Sequence, residues 1–400
     1  METTAILLIT AVLFLWGVLS GRLERADLTA PIIFVTVGGL FAAVGLVDAP
    51  SVTQILKPLV EITLVWVLFS DAAGIPFGQM RRDVGRIARL LGVGLPLTVA
   101  AGWALGEWFF PSLGVWLTLL VAAALAPTDA ALGLPVVVNP AVPLSIRRLI
   151  TVESGLNDGI VTPVVMFALV AAVSIAELES APGLPEALAE LGIGVVVGVV
   201  VGLAGGRALR WARMRKWAAD DFVGIAVLAL ALVAYTASVA VHGNGFVAAF
   251  CGGLAFGAAA GRRAEAELVF LEQAGTLVSL LVWFAFGAVA IPIVFERVDL
   301  AILAYAVLSL TLVRMVPVAL ACLGTGLDRK TVLFVGWFGP RGLASLVFAL
   351  LALEELGTAA DDVIAIIGVT VLLSVLAHGL SASPLAARYG RASHFGVDDE

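Results

Sequence analysis

The sequence predicts an all-α polytopic membrane protein with about thirteen transmembrane helices. Of its 400 residues, 61% are hydrophobic and only 13% are charged, and the mean hydropathy is +1.09, values far from those of soluble domains. The apolar residues form runs of roughly 18 to 25, the length that a helix needs to cross a hydrocarbon core. These runs do not alternate between apolar and polar residues, which argues against a transmembrane barrel.

Thirteen apolar runs follow one another along the chain. The predicted spans are 4–20, 29–47, 53–71, 87–109, 114–138, 148–175, 187–208, 221–241, 244–260, 270–294, 300–323, 331–353 and 361–383. The first run is interpreted as a true span, because no cationic region precedes it and no small-residue cleavage site is evident. We expect residues 1–385 to form a single transmembrane unit and 386–400 a short cytoplasmic tail.

Charge alternates between successive loops, and this alternation predicts the orientation. One set of loops holds 19 of the 23 Lys and Arg residues: Arg22, Arg25, Arg81, Arg82, Arg86, Arg89, Arg147, Arg148, Arg207, Arg210, Arg213, Arg215, Lys216, Arg262, Arg263, Arg329, Lys330, Arg388 and Arg391. The opposite set has only Lys57 and Arg297 and is rich in acids such as Glu177 and Glu179. By the positive-inside rule the N-terminus is outside and the C-terminus is cytoplasmic, which requires an odd number of spans. We expect an integral protein of a prokaryotic plasma membrane.

Other compositional signals are weak. Cys251 and Cys322 both lie inside apolar runs, so they predict neither a disulfide nor a metal site. The glycines of 194–206 are typical of close helix packing in lipid. No feature suggests a nucleic-acid partner, and membrane lipid is the expected surrounding.

Five ionisable residues lie inside the predicted spans: Asp71, Asp129, Glu153, Asp158 and Arg341. A charged group at the bilayer centre costs at least about 2.5–3.5 kcal/mol on insertion scales, so each is a candidate for function. Any one of them could instead belong to a structural ion pair.

Span five carries Pro127, Thr128 and Asp129 in the middle of an apolar run. Because Pro127 lacks a backbone donor and clashes with the preceding turn, we predict a break near Thr128. Interrupted helices at membrane depth are typical of ion sites in secondary transporters. The alternative is a proline kink in which the Asp129 carboxylate caps the following half-helix.

Span six carries Glu153, Ser154, Asn157 and Asp158 within two turns. Ser154 and Asp158 are four residues apart and share a helix face. The oxygens of Asp158, Ser154 and Thr128, with Asn157 and carbonyls of the broken span, suit a hard cation such as Na⁺. Burial disfavours the charged carboxylate, so the same group can hold a proton instead. A site that takes either a cation or a proton indicates an exchanger.

Span twelve predicts a second interruption at Gly339 and Pro340, followed by Arg341. A guanidinium at membrane depth needs a partner, and Glu153 is predicted to pair with it because that carboxylate does not align with Ser154 and Asp158. Two interpretations of Arg314 in span eleven remain open, namely snorkelling to the inner face or pairing with a core acid. For His378 we favour contacts with backbone carbonyls over a pH-sensing role.

The motifs PTDAALG at 127–133, VESGLNDG at 152–159 and FGPRG at 338–342 occur in this order along the chain. With LFSDAAGIPFGQMRR in span three, GNGFVAAFCGGLAFG in span nine and SLLVWFAFGAVA in span ten, the sequence resembles the NhaP-like branch of the sodium/proton antiporters, within the monovalent cation/proton antiporter group. The resemblance covers nearly the whole chain. The span count of thirteen agrees with it.

The resemblance implies an inverted-repeat fold whose broken helices cross at mid-membrane, a core domain with spans 5, 6 and 12, a dimerisation domain and a homodimer. It assigns cation and proton binding to Asp158, Asn157, Ser154, Thr128 and Asp129. It also implies a structural Glu153–Arg341 pair and an accessory acid at Asp71. Asn rather than a second Asp at position 157 implies electroneutral exchange of one cation for one proton. No cofactor is expected beyond the transported ions.

Three other functions compete with sodium/proton antiport. A membrane-embedded enzyme is disfavoured because His242, His378 and His394 lie away from the acidic cluster. A channel is disfavoured because broken helices that meet at a carboxylate suggest alternating access. A K⁺/H⁺ antiporter on the same scaffold is the nearest alternative, since the ligand types alone do not select Na⁺ over K⁺ or Li⁺.

Overall fold

A computed structural model describes residues 3–24, 28–46, 49–75, 83–176, 183–261 and 264–394. These residues form helices joined by turns and loops, without a strand. The predicted all-α class is therefore confirmed.

Seventeen α-helices make up the described part of the chain. They are α1 (Thr3–Glu24), α2 (Ala30–Ala43), α3 (Ala49–Ala73), α4 (Val84–Arg89), α5 (Leu95–Phe109), α6 (Val115–Ala124), α7 (Leu134–Val137), α8 (Leu144–Ala176), α9 (Leu184–Met214), α10 (Asp220–Ala240), α11 (Gly245–Ala260), α12 (Ala264–Arg297), α13 (Leu300–Leu310), α14 (Leu312–Ala321), α15 (Arg329–Trp337), α16 (Leu343–Leu356) and α17 (Asp361–His394). A π-helical turn, Leu90–Gly94, joins α4 to α5, and a 3₁₀ turn, Gly357–Ala360, precedes α17.

Each of the thirteen predicted spans corresponds to one helix or to a pair of consecutive helices. Four spans are divided, namely α4 with α5, α6 with α7, α13 with α14, and α15 with α16. By length and composition alone, eight continuous stretches of the described residues are long and apolar enough to cross a membrane. The predicted count of thirteen is compatible with this architecture.

The glycines of α9 allow its backbone to contact α11. A Cβ atom on Gly198 would lie 2.4 Å from the carbonyl oxygen of Ala248, and one on Gly202 would lie 2.2 Å from that of Gly252. Real Cβ atoms do not approach a carbonyl this closely, so these positions require glycine. Glycine also allows close backbone packing between α2 and α12, where Gly38 lies against the Phe284 carbonyl. The packing interpretation of the glycine-rich stretch agrees with these contacts.

Helices α16 and α17 form the interior of the bundle. Every residue from Ala344 to Ala352 is buried, and Val363–Ile367 of α17 is buried as well. Both helices pack against α6, and α16 also packs against α8. The span divided between α15 and α16 thus has its second half at the centre of the protein, where backbone groups freed at the break must find protein partners.

Among the loop residues, the cations Arg25, Arg81, Arg82, Arg262 and Arg263 and the acids Glu177 and Glu179 lie outside the described residues. Helix α17 continues to His394, so residues 386–394 of the predicted tail are helical, and 395–400 lie outside the described part.

Candidate functional site

The site begins where α6 ends. The helix stops at Ala124 and the chain runs without helical structure through Pro127, Thr128 and Asp129 before α7. The carbonyls at the end of this helix and just after it bind side chains from span twelve. Ser345 Oγ donates to Ala124 O at 2.6 Å. Arg341 Nη1 donates to Pro127 O at 2.9 Å and also to Ala126 O. The predicted break near Thr128 is confirmed.

Proline alone does not explain this break. Pro163 lies within α8, and Pro317 within α14, yet each helix continues past its proline. At Pro127 the carbonyls released by the missing helical bonds have a guanidinium to bind. The interruption is therefore stabilised by its partner as well as by the local sequence.

The second break separates α15 from α16 and crosses the first. The amide of Asp129 donates to the carbonyl of Pro340 at 2.7 Å. The Asp129 carboxylate accepts from Ala131 N at 2.8 Å and from Leu343 N, at the start of α16, at 3.1 Å. The capping interpretation of Asp129 agrees with these bonds. A carboxylate at the N-terminus of α16 and a guanidinium at the C-terminal end of α6 each complement a helix dipole.

Thr128 joins the broken span to α8. Its Oγ1 lies 2.9 Å from Ser154 Oγ and accepts a hydrogen bond from Asn157 Nδ2 at 2.8 Å. All three side chains are buried, with at most 3% of any residue exposed. Thr128, Ser154 and Asn157 are thus brought together as the sequence predicted.

Asp158 lies beside this group, with 7% of the residue exposed. Its Oδ1 and the Oδ1 of Asn157 are buried and have no hydrogen-bond partner among the described residues. Burying a carboxylate oxygen without a donor is costly, so this atom has capacity for a ligand.

A cavity of about 640 Å³ reaches Asp158 from one end of the bundle. Its walls include Asp71, Thr128, Asp129, Ser154 and Asp158. Glu24 and the start of α2, together with Thr151 at the start of α8, line the same cavity nearer to the chain's Arg-rich loops. Oxygen-bearing side chains are therefore accessible from one side.

Asp71, in the last turn of α3, is exposed to this cavity on the wall opposite α6. A Cβ atom on Gly155 would lie 3.7 Å from the Cβ of Asp71, so α3 and α8 approach closely at this point. Asp71 thus borders the same cavity as Asp158.

The sequence profile described as "Sodium/hydrogen exchanger, transmembrane" matches residues 8–388. The chain belongs to the sodium/hydrogen exchanger family. This family and the relatives below are transporters rather than enzymes.

Two curated relatives of the exchanger illustrate its similarities. It is 27% identical over 354 residues to the Na(+)/H(+) antiporter NhaP of Pseudomonas aeruginosa, with 82% of this chain and 81% of the relative covered. It is 24% identical over 395 residues to the K(+)/H(+) antiporter NhaP of Alkalimonas amylolytica, with coverages of 95% and 66%. Across such relatives the chain spans between 45% and 81% of the other protein's length.

A solved structure supports the fold of the exchanger. The sodium proton antiporter MjNhaP1 from Methanocaldococcus jannaschii superposes with a TM-score of 0.79 at 20% identity, covering 96% of this chain and 98% of that one. The antiporter fold with two crossing broken helices is thereby confirmed.

One predicted pair in this exchanger is wrong. Glu153 is bound not to Arg341 but to Arg314, with Nη1–Oε1 at 2.7 Å and Nη2–Oε2 at 2.9 Å. The Arg341 side chain binds instead the carbonyls at the end of α6. Both arginines are fully buried, but Arg341 lies at the helix crossing, where unpaired carbonyls need a donor.

Sequence reasoning missed other members of the exchanger's core. For Arg314 the sequence supports two interpretations, and its location inside an apolar span is the signal that singles it out. Ser345 and Ser374 gave none, because small hydroxyl residues are common in membrane helices. His378 binds backbone carbonyls as favoured, but it does so in the buried interior, beside the second break.

Proposed function

We propose that this chain exchanges Na⁺ or another small monovalent cation for protons across a membrane, and that Asp158 is the group for which the two compete. The observation that carries the proposal is the buried Asp158 carboxylate, which borders the cavity and has an unsatisfied oxygen next to Thr128, Ser154 and Asn157. The salt bridges of the described residues do not include it.

Competition follows from the location of this carboxylate. It must be charged to hold a monovalent cation, and it is stable without one only when protonated, because a lone charge is costly in a low-dielectric interior. The two ligands therefore exclude each other. A channel, the rival transport mechanism, would not couple cation flux to a proton gradient.

We propose Na⁺ as the cation, with Asp158, Ser154 and Thr128 as oxygen ligands and Asn157 and Asp129 in supporting positions. Asp71 is the proposed accessory acid. A K⁺/H⁺ antiporter on the same scaffold is the second candidate, since relatives of both kinds are similar to this chain. Dequenching of a pH dye in proteoliposomes as Na⁺, Li⁺, K⁺ or choline is added in turn separates the two.

The cavity reaches the site from one side of the bundle, which supports an alternating-access mechanism. The cavity opens at the end of the bundle that holds the Arg-rich loops, which is cytoplasmic in the proposed orientation. At the opposite end Lys57 of α3 pairs with Glu355 of α16 at 2.8 Å, and Arg297 of α12 pairs with Asp361 and Asp362 of α17. These pairs join the helices on the outer side while the inner side is open.

The proposal extends to location and assembly. The N-terminus is outside and the C-terminus cytoplasmic, in a prokaryotic plasma membrane, and the chain forms a homodimer. A core domain that contains spans 5, 6 and 12 moves against a dimerisation domain. The charge alternation supports the orientation, and the family resemblance supports the dimer, which native mass spectrometry in detergent would test.

The decisive experiment is Asp158→Asn in proteoliposomes that carry a pH gradient. The variant should fold, because Asn is nearly the same size, but should exchange nothing, because its amide does not titrate. Asp299→Asn is the matched control, since Asp299 caps α13 from an exposed position and Asn is an equally good cap.

For the wild type, apparent cation affinity should rise with pH and level off once the carboxylate is fully deprotonated. Wild-type rates of Na⁺- or K⁺-driven dequenching in Asp158→Asn vesicles would refute the assignment, and Asp129 would become the next candidate.

A further inference from the structure

Two buried polar residues of α17 lie beside the second helix break and have no part in the ion site described above. Ser374 and His378 are one turn apart. Both are buried, with exposed fractions of 0% for Ser374 and 1% for His378. Buried polar side chains at membrane depth are costly unless they are bonded, so their partners indicate their purpose.

Those partners are the two ends of the interruption between α15 and α16. The backbone amide of Arg341 donates to Ser374 Oγ at 2.7 Å. His378 Nε2 lies 2.9 Å from the carbonyl oxygen of Trp337, the last residue of α15. A single helix thus binds the chain on both sides of the break.

The imidazole of His378 contacts both Ser374 and Trp337. Each ring nitrogen lies 2.9 Å from a carbonyl oxygen, Nε2 from Trp337 O and Nδ1 from Ser374 O. Nδ1 also lies 3.1 Å from Ser374 Oγ, which accepts from the Arg341 amide. Hydrogen-bonding contacts therefore run without a gap from the Arg341 amide through Ser374 and His378 to the Trp337 carbonyl.

Trp337 is held by its side chain as well. Its ring packs against the His378 imidazole with centroids 5.1 Å apart, and its Nε1 donates to Ser381 Oγ at 3.0 Å. The carbonyl bound by His378 is one that the break releases from regular helical bonding, although it also accepts from Gly339 N at 2.8 Å. The segment 338–341 is therefore anchored at both ends to α17.

This anchored segment contacts the first break directly. Pro340 O accepts from Asp129 N, and the Arg341 guanidinium donates to Pro127 O. A Cβ atom on Gly339 would lie 2.9 Å from Thr128 Cγ2, so the backbone at Gly339 packs directly against the Thr128 side chain. A displacement of 338–341 must move Thr128, whose hydroxyl bonds to Ser154 and Asn157 beside Asp158.

We propose that Ser374 and His378 are positioning residues of the ion site: their hydrogen-bond chain fixes segment 338–341, and through it the position of Thr128 that sets cation affinity. This inference rests on the function proposed above. It assigns a role in binding to two residues that touch neither the cation nor the proton.

The test compares three variants with two controls in the full-length protein. Ser374→Ala removes the acceptor for Arg341 N, His378→Leu removes both imidazole contacts, and His378→Gln keeps an N–H donor for Trp337 O. Thr370→Val is the control for Ser374, since it deletes a buried hydroxyl one turn earlier on α17 that bonds only within its helix to Ile366 O. His242→Gln is the control for His378, at an exposed turn.

We expect Ser374→Ala and His378→Leu to raise the half-saturating cation concentration roughly tenfold, in line with the loss of one or two hydrogen bonds. Maximal rate should change little, and His378→Gln should recover most of the affinity. The Ser374→Ala/His378→Leu double variant should be no worse than the worse single variant, because both break one chain. Neither control should shift half-saturation.

A second measurement tests the anchoring contacts without requiring transport activity. Hydrogen exchange at the Arg341 amide, followed by mass spectrometry, should accelerate in Ser374→Ala and not in Thr370→Val. If the wild type moves no cation, the proposed function fails, whereas faster exchange at Arg341 still supports the anchoring chain. Unchanged half-saturation in folded Ser374→Ala and His378→Leu would overturn the inference, as would an effect limited to melting temperature.

Discussion

Arg314 and Glu153 form a two-point salt bridge in the interior of the protein. Its two N–O distances are 2.7 and 2.9 Å, and the two side chains are 2% and 3% exposed. The fork of the guanidinium matches the two carboxylate oxygens, the geometry in which such pairs are strongest. The pair joins α14 to α8 and leaves neither charge alone in a low-dielectric environment.

Removing one partner should therefore destabilise the protein strongly. Glu153→Gln leaves a buried guanidinium without its counterion, and we expect a loss of about 3–5 kcal/mol in the free energy of unfolding. Thermal melting in detergent measures it. Arg297→Gln, which breaks half-exposed pairs with Asp361 and Asp362, is the control and should cost less than about 1 kcal/mol. A Glu153→Gln protein that melts with the wild type would contradict the structural role.

The crossing of the two breaks depends on glycine at position 342. A Cβ atom there would lie 2.1 Å from Asp129 Oδ2 and 2.6 Å from Asp129 Cβ. Gly342→Ala should displace the Asp129 carboxylate from the start of α16, cost about 1–3 kcal/mol as overpacking, and reduce exchange. Gly192→Ala, in a helix with open space around it, should be neutral or slightly stabilising. Equal melting temperatures and rates for both variants would show that the crossing tolerates a larger residue.

The Thr128 hydroxyl is predicted to matter for affinity. Thr128→Val keeps the shape of the side chain but removes its bonds to Ser154 and Asn157. We expect the half-saturating cation concentration to rise roughly tenfold, measured by dye dequenching, with Thr128→Ser close to wild type. Thr98→Val deletes a buried hydroxyl that bonds only within its own span, to Gly94 O, and should leave half-saturation unchanged. An identical shift in both Val variants would mean a general packing effect.

Orientation can be tested with single cysteines in a protein lacking Cys251 and Cys322. Glu296→Cys, at the exposed end of α12, should react with an impermeant thiol reagent from outside, and Lys216→Cys, in the exposed turn after α9, only from inside. The charge alternation is the reason for this expectation. Permeabilised cells supply the control for reactivity. Labelling of both cysteines from one side of intact cells would show an error in the span count between them.

The breaks could be predicted from sequence because their causes are local. Pro127 lies next to Thr128 and Asp129, and Gly339 next to Pro340, so the local sequence disfavours helical bonding at both breaks. That Pro127 interrupts its helix while Pro163 and Pro317 do not depends also on the Arg341 guanidinium, which binds the Pro127 carbonyl. The placement of Ser154 and Asp158 was also predictable, since a spacing of four residues fixes a shared helix face.

The partner of Glu153 could not be predicted in this way. Arg314 and Arg341 are both arginines inside apolar spans, and nothing in their local sequences indicates which one lies across from α8. That choice depends on how α14, α15 and α16 pack around α8, which is a long-range property. The hydrogen-bond chain of Ser374 and His378 could not be predicted for the same reason, because the groups it binds, the Arg341 amide and the Trp337 carbonyl, are backbone groups exposed by a break in another span.

The salt bridge of Glu153 also bears on the energetics of transport. That carboxylate is held by Arg314, and Asp129 is bonded to two backbone amides; in the function proposed above, Asp158 is then the carboxylate whose charge is cancelled alternately by a cation and by a proton. Under this proposal the loaded site would have the same net charge in either direction, and the membrane voltage would do no work on the cycle. In that case each pH unit across the membrane would sustain about a tenfold cation gradient, and the two gradients alone would decide which way the exchanger runs.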